Sequence, residues 1–253
     1  MKTNYSDFDS MIHHYDSLTS TQAEAKRLAL NEIQKAIVTA DEQTGGRGRC
    51  GRNWESPRKG GLYVSFLIRP HIHPSKVHLI NLASGLAVAS FLRHSFGIKA
   101  VLKWPNDVII KEEENLKKIC GILSEASIYD EEVKFCIVGI GINCKRSAIP
   151  PELSYRACAL DEYVDNIDNR ELLNGIYREF SNRIEDFELL GAGKLMQDYI
   201  SICTTIGKAV QIETGDMAIT GTAIGIGESG ELLVDTIDGV KKFSSGDVYH
   251  ATI

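Results

Sequence analysis

The sequence predicts an α+β domain built on a mixed β-sheet, followed by a small β-barrel. Up to residue 203, helix-periodic stretches are interspersed with short apolar, β-branched runs, the pattern of helices packed on a sheet. From Thr204 the texture changes to short strand-like runs punctuated by glycines and an Asp-Gly at 238–239. The domains are therefore placed at 1–203 and 204–253, a division that suits a chain of 253 residues. A hydrophobic content of 43% with 25% charged residues belongs to an ordinary globular protein. The net charge of −6 argues against nucleic acid as the main partner, because phosphate recognition needs a basic footprint.

Taken in order, the chain opens with a short polar arm. Thr21 and Glu24 then form a capping box, and Ala25, Leu28, Ala29 and Ile33 give the next helix an apolar face. Ala36–Ala40 reads as a buried strand, and Leu62–Ile68 as a second. His71, His73 and His78 surround Pro74 with no acid nearby, so they mark a turn and a helix start rather than a metal cluster; no metal site is expected. Ser75 is expected to cap a helix running to Phe96, with Val77, Ile80, Ala83, Leu86, Ala87 and Phe91 on one face and Gly97 as its stop.

Ile98–Lys103 returns as a strand into Lys103-Trp104-Pro105-Asn106-Asp107-Val108, where a polar pair sits at the strand's mouth. Residues 111–115 read as a solvated hairpin tip. In Lys117-Lys118-Ile119-Cys120-Gly121 two lysines lead into an apolar strand, and strand alternation puts them on opposite faces. Val133–Ile142 is an apolar strand carrying Gly139 and Gly141 and ending at Asn143, its small residues admitting a ligand alongside. Asn169–Leu190 is a long amphipathic helix with Leu172, Leu173, Ile176, Phe180, Ile184 and Phe187 inward. Strands are expected over Ala209–Glu213, Met217–Ile224, Leu232–Asp235 and Val240–Phe243.

No segment approaches a membrane span in apolar length, and the N-terminal residues lack a signal peptide's apolar core. The six cysteines form no Cys-x-x-Cys pair, and most sit in apolar runs, as small buried thiols of a reducing compartment do. A cytoplasmic location is expected.

The chemistry concentrates in Gly45–Pro57, where Arg47, Arg49 and Arg52 lie among four glycines with no acid before Glu55. Glycine lets backbone approach a ligand, and arginine supplies a permanent charge on a planar fork of donors, so the loop is suited to wrap an anion. It is not a Walker loop, since no Lys-Ser or Lys-Thr closes it. Gly46-x-Gly48-x-x-Gly51 has dinucleotide spacing, but Asn53, Pro57, Gly60 and Gly61 follow where that motif needs a helix. The same spacing recurs at Gly225, Gly227 and Gly230 in an expected hairpin, and the kinase motifs are absent. Cys50, flanked by arginines, is either a thiol whose ionisation its positive neighbours favour or an inert thiol tucked against the sheet.

Gly46-Arg47-Gly48-Arg49-Cys50-Gly51-Arg52-x-Trp54-x-Ser56-Pro57 followed by Gly61-Leu62-Tyr63-x-Ser65 resembles the signature of biotin protein ligases. The Lys103–Val108 hexapeptide, Lys118 three residues before Gly121, and Gly139–Asn143 add further matches. The resemblance implies a biotin/lipoate ligase-like catalytic domain with an SH3-like tail. It implies ATP-dependent attachment of biotin to a lysine of a biotin carboxyl carrier protein through biotinyl-AMP, with ATP and Mg²⁺.

By that resemblance Ser20, Thr21, Gln22 and Gln43 bind biotin, with Gln22 standing where the family usually has Asn. Gly46, Arg47, Gly48, Arg49, Trp54, Lys118, Gly121 and Gly139 complete the biotin side, which turns Lys118 inward and so leaves Lys117 to solvent. Arg49, Arg52, Trp54, Lys103, Asn106, Asp107 and Asn143 are assigned to the nucleotide, and Lys118, Arg47 and Arg49 to catalysis. A lipoate ligase or octanoyl transferase of the same fold is the nearest rival, though it lacks this arginine loop with its tryptophan. A biotin-responsive DNA-binding regulator is the rival of another class. The short arm before Ser20 and the acidic charge weigh against it, so no DNA partner is expected. The resemblance leaves a homodimer open.

Overall fold

A computed structural model describes residues 5–112, 115–214 and 217–250. A seven-stranded sheet forms its centre, in the order β1-β2-β3-β7-β6-β5-β4. The strands are β1 (Ile12–Tyr15), β2 (Ala36–Ala40), β3 (Gly61–Ile68), β4 (Ala100–Lys103), β5 (Asp107–Glu112), β6 (Asn115–Tyr129) and β7 (Glu132–Asn143). Only β1 and β2 pair in parallel; every other neighbour is antiparallel, so the sheet is mixed as expected. The arm before Ser20 holds more than the sequence revealed: a short helix α1 (Tyr5–Ser10) and the edge strand β1. Residues 113–114 of the expected hairpin tip lie outside the described residues, and their flanks pair as β5 and β6.

Helices cover both faces. On one side α2 (Thr21–Leu30) packs Ala25, Leu28 and Ala29 against Val38, Leu67 and Ile137. Its start corrects the expected capping box. Ser20 is the N-cap residue and makes no side-chain cap bond, while Glu24 instead holds Arg27 and the Tyr15 hydroxyl. On the other side lie α3 (His78–Phe96), α4 (Asn169–Leu190) and α5 (Gly193–Ser201), the last unforeseen.

α3 differs from expectation in three ways. A 3₁₀ turn over Pro74–Lys76 precedes it, capped by His73 rather than Ser75. From Leu82 to Leu92 it is buried all round instead of along one face. It is also long and apolar enough to cross a membrane, with a mean hydropathy of 1.3, which corrects the claim that no segment comes near. Here it is the central core helix, wedged between the sheet and α4, where Phe91 occupies the space a side chain at Gly175 would need. Gly97 ends it in the left-handed region, as expected.

A separate antiparallel sheet follows, in the order β11-β10-β9-β8-β12. Its strands are β8 (Ala209–Thr214), β9 (Met217–Ile226), β10 (Leu232–Thr236), β11 (Gly239–Phe243) and β12 (Asp247–His250). Four were expected. The fifth, β12, returns to pair with β8 and brings Asp247 beside the first domain. Trp104 joins the two sheets: it is buried, its indole N–H donates to Gly230 O at 2.9 Å, and its backbone N–H donates to Thr205 Oγ1 at 3.0 Å.

Candidate active site

Rows across the sheet explain where the cavity forms. Val38, Ser65, Gly139 and Leu123 are in register on β2, β3, β7 and β6, and Ala40, Tyr63, Gly141, Gly121 and Asp107 form a neighbouring row extending to β5. The glycines leave bare backbone as a floor, roofed by the start of α2 and the arginine loop. A cavity of about 650 Å³ results, within the usual range for small-molecule sites. Every candidate residue named from the sequence lines it except Gly46.

One end is polar and buried. Thr21 donates to Gln43 Oε1 through its backbone N–H at 2.9 Å and its hydroxyl at 3.1 Å. Thr21 Oγ1 lies 2.8 Å from Ser65 Oγ. Gln22 reaches across Gly139 and donates to Leu123 O at 2.9 Å, leaving its amide oxygen free of that bond. Ser20 Oγ, unused in capping, also faces this end.

The other end is cationic. Arg47, Arg49, Arg52, Lys103, Lys118 and Arg156 line it against Glu55, Asp107 and Asp247. Six cations against three acids leave a local excess of three positive charges in a chain of net −6. Water-poor walls focus such a field on an anionic ligand. Lys118 Nζ sits 2.6 Å from Asp107 Oδ1 and 5.3 Å from the Trp54 ring centroid, where the ring face attracts an ammonium. Burial holds Lys103 below the ordinary lysine range, with Asp107 acting in the opposite direction. Asn143, expected on the nucleotide, donates to Cys158 O at 3.1 Å and ties the segment before residue 160 to the cavity wall.

A β-bulge decides which lysine faces in. In the β5–β6 ladder Val108 pairs with Cys120 but Ile109 with Lys118, so Ile119 is the extra residue. Without the bulge, Lys118 and Gly121, three apart, would point to opposite faces. With it both line the cavity, and a side chain at Gly121 would meet Lys118 Nζ at 3.1 Å. Lys117 faces away but is half-buried rather than fully solvated, which corrects its assignment to solvent.

The arginine loop makes a 3₁₀ turn at Arg49–Gly51 with no helix after it, in keeping with the rejected dinucleotide reading. Its side chains reach the tail domain. Arg49 Nη1 donates to Asn106 Oδ1 at 3.1 Å and to Gly246 O at 3.3 Å, while Arg52 pairs with Asp247 through both oxygens. Sequence reasoning missed Asp247 and Tyr249 because the strand that carries them was unforeseen, and Gly246 because it immediately precedes that strand. It missed Arg156 because no motif surrounds it. The segment bearing Arg156 is bridged to Lys118: Lys118 N–H donates to Arg156 O at 2.8 Å and Cys158 N–H to Lys118 O at 3.0 Å.

The trp-glycine stack is tight: a side chain at Gly141 would come within 2.4 Å of Trp54 Nε1. Away from the cavity, His14, Asp16 and Asp41 bring potential metal ligands within 4.8 Å of one another, with Arg58 at 3.9–4.0 Å from both carboxylates.

Residues 15–143 match the model of the biotin/lipoate A/B protein ligase family, and residues 205–251 that of the biotin protein ligase C terminal domain. The chain is 34% identical over 242 residues to the bifunctional ligase/repressor BirA of Bacillus subtilis, covering 94% of this chain and 73% of that protein. It is 30% identical to the biotin–[acetyl-CoA-carboxylase] ligase of Mycobacterium tuberculosis, covering 87% of this chain and 80% of that one. The Aquifex aeolicus biotin protein ligase solved with biotin and ATP superposes with a TM-score of 0.80 at 32% identity, covering 95% of this chain and 99% of that one.

Proposed function

The chain belongs to the biotin/lipoate A/B protein ligase family, and from that premise we propose how its cavity joins biotin to ATP and then to a protein lysine. It is an ATP-dependent biotin–protein ligase that works through biotinyl-AMP, with a carboxylase as acceptor. The observation that carries the reading is one cavity with a polar buried end and a cationic end, separated by a glycine floor.

At the polar end, Ser20, Thr21, Gln22 and Gln43 hold the ureido ring. The biotin carboxylate then lies toward Lys118, Arg47 and Arg49. ATP, with Mg²⁺ offsetting its charge, occupies the cationic end against Arg52, Trp54, Lys103, Asn106, Asp107 and Asn143. In the first step a carboxylate oxygen bonds to the α-phosphorus and the bond to the bridging oxygen breaks, releasing pyrophosphate. Fixed cations offset the repulsion between the two anions and the charge that builds at phosphorus. In the second step the neutral acceptor amine attacks the acyl carbon, AMP leaves with the bonding pair, and the amine gives up a proton. The same cations stabilise the departing phosphate. Glycines at 48, 121 and 139 let backbone and ligand approach closely, while Gly46, expected on the biotin side, lies off the cavity and serves the packing of the loop instead.

The catalytic domain is assigned to 1–203 and the tail to 204–253, with the tail's Asp247 steadying Arg52. The acceptor is a lysine on a biotin carboxyl carrier protein, the enzyme is cytoplasmic, and pairing into a homodimer belongs to the same reading. The net charge of −6 supports the absence of specific DNA binding. ATP–pyrophosphate exchange tests the central assignment: biotin drives exchange and octanoate does not, whereas equal exchange with octanoate overturns it. A sequence-specific DNA footprint stimulated by biotin overturns the charge argument.

A further inference from the structure

Five polar groups beneath the cavity form a hydrogen-bond chain whose direction is set by chemistry. Thr21 N–H can only donate, so the Gln43 atom facing it at 2.9 Å is the amide oxygen, and Gln43 Nε2 points the other way. That nitrogen donates to Ser56 Oγ at 2.9 Å. Ser56 in turn lies 3.1 Å from Trp54 O, which can only accept, so the serine proton is committed there. At the opposite end the Thr21 hydroxyl proton is spent on Gln43 Oε1, which makes Ser65 the donor to Thr21 Oγ1. Donation therefore runs Ser65 to Thr21 to Gln43 to Ser56 to the Trp54 carbonyl. Ser56, Ser65 and Thr21 are all buried, at 4%, 0% and 4% exposure, where a lost partner is not replaced by water.

We propose that Ser56, which does not line the cavity, is a positioning residue that couples the polar end of the site to the arginine–tryptophan loop. Its hydroxyl fixes the Gln43 amide in the orientation that receives Thr21, and pins the backbone of Trp54, whose indole forms part of the cavity wall. Gly46 explains itself at this junction: a side chain there would meet Trp54 O at 2.4 Å, Ser56 Oγ at 2.9 Å and Gln43 Nε2 at 3.2 Å. Gly46 O also accepts from Trp54 N–H at 3.0 Å, and Gln43 N–H donates to Ser56 O at 3.1 Å, so both strands of the junction are tied by backbone. The inference rests on the biotin reading given above.

Trp54 reports the coupling, read as the difference from a Trp54→Phe control, because the other tryptophan, Trp104, also touches the cavity although it is buried and bonded to the tail. In the wild type, titration with biotin alone perturbs Trp54 fluorescence. In Ser56→Ala the biotin affinity measured by calorimetry falls at least tenfold and the fluorescence response at saturating biotin is lost; Ser56→Thr, which keeps the hydroxyl, retains both. Wild-type affinity with a full response in Ser56→Ala overturns the inference, as does an equal loss in Ser56→Thr. Should Ser56→Ala not fold, Gln43→Glu decides: the introduced carboxylate draws the Ser56 proton from Trp54 O, so the response is lost, and its retention refutes the coupling. A wild type that does not bind biotin overturns the functional reading itself, and this inference with it.

Discussion

Replacing Lys118 by methionine removes a cation while keeping the length of the side chain, so any loss is electrostatic. Lys118 Nζ stands 2.6 Å from Asp107 at the cationic end of the cavity. A unit charge about 4 Å from a phosphoryl oxygen, at an effective dielectric constant of about 20, is worth roughly 4 kcal/mol. Mutational losses of single charge-stabilising donors run to about 10²–10³ in rate, or about 2.7–4 kcal/mol, in agreement with that estimate. Adenylate formation in Lys118→Met therefore slows by about two to three orders of magnitude. Stability suffers less, because Lys103 pairs across the β4–β5 hairpin with Asp107 and leaves that carboxylate a cationic neighbour. The assay is single-turnover pyrophosphate release with saturating biotin and ATP, alongside thermal melting. Lys117→Met, on the opposite face of β6, stays within about twofold of the wild type, since it offers no charge to the cavity. Equal losses in the two variants, or a loss confined to Lys117→Met, would refute both the register and the role given to Lys118.

Three further outcomes follow from the geometry. Gly141→Ala pushes the Trp54 indole off its seat, since the new carbon would lie 2.4 Å from Nε1, and a displacement of about 1 Å at a reacting site costs up to about a hundredfold; kcat/KM at the wild-type value would contradict the seat. Cys50 is exposed and the other five cysteines are buried, with burial pushing Cys136, Cys144 and Cys158 up to about 12. Iodoacetamide mapping should therefore label Cys50 first, and equal labelling of Cys136 would contradict this. Glu24 is held down to about 2, first by Arg27 and also by the Tyr15 hydroxyl. Because its folded pKa lies below the unfolded one, its contribution is complete above about pH 5 and disappears as the pH falls toward 2. Glu24→Gln thus lowers the melting temperature at pH 7 and leaves it unchanged near pH 2, and an equal drop at both would argue against the pairing.

What the sequence made legible was local. The arginine loop, the Trp104–Asp107 turn and the glycines of β7 are contiguous motifs whose residue types state their chemistry, and all of them line one cavity. The long helix α4 was readable to its end residues because its apolar stripe follows one period. α3 was misread as one-sided because burial on every face erases that period. The bulge at Ile119 could not be read, since parity breaks only where two strands pair, and pairing is a property of both. β12 escaped notice for a similar reason: Asp247–His250 is too short to carry an alternation, and β8 supplies its pairing. Its loss hid Asp247 and with it the tail's hold on Arg52. Ser56 and Ser65 were visible within the motif, but their roles depend on partners up to 44 residues away.

In the proposed function the polar end of this cavity selects biotin for adenylation. The most direct measurement offers the protein equal concentrations of biotin, lipoate and octanoate with ATP and Mg²⁺, and identifies the acyl-adenylate retained on the enzyme by mass spectrometry. Biotinyl-AMP alone is expected, with one pyrophosphate released for each. Lipoyl- or octanoyl-AMP in comparable amount would contradict it.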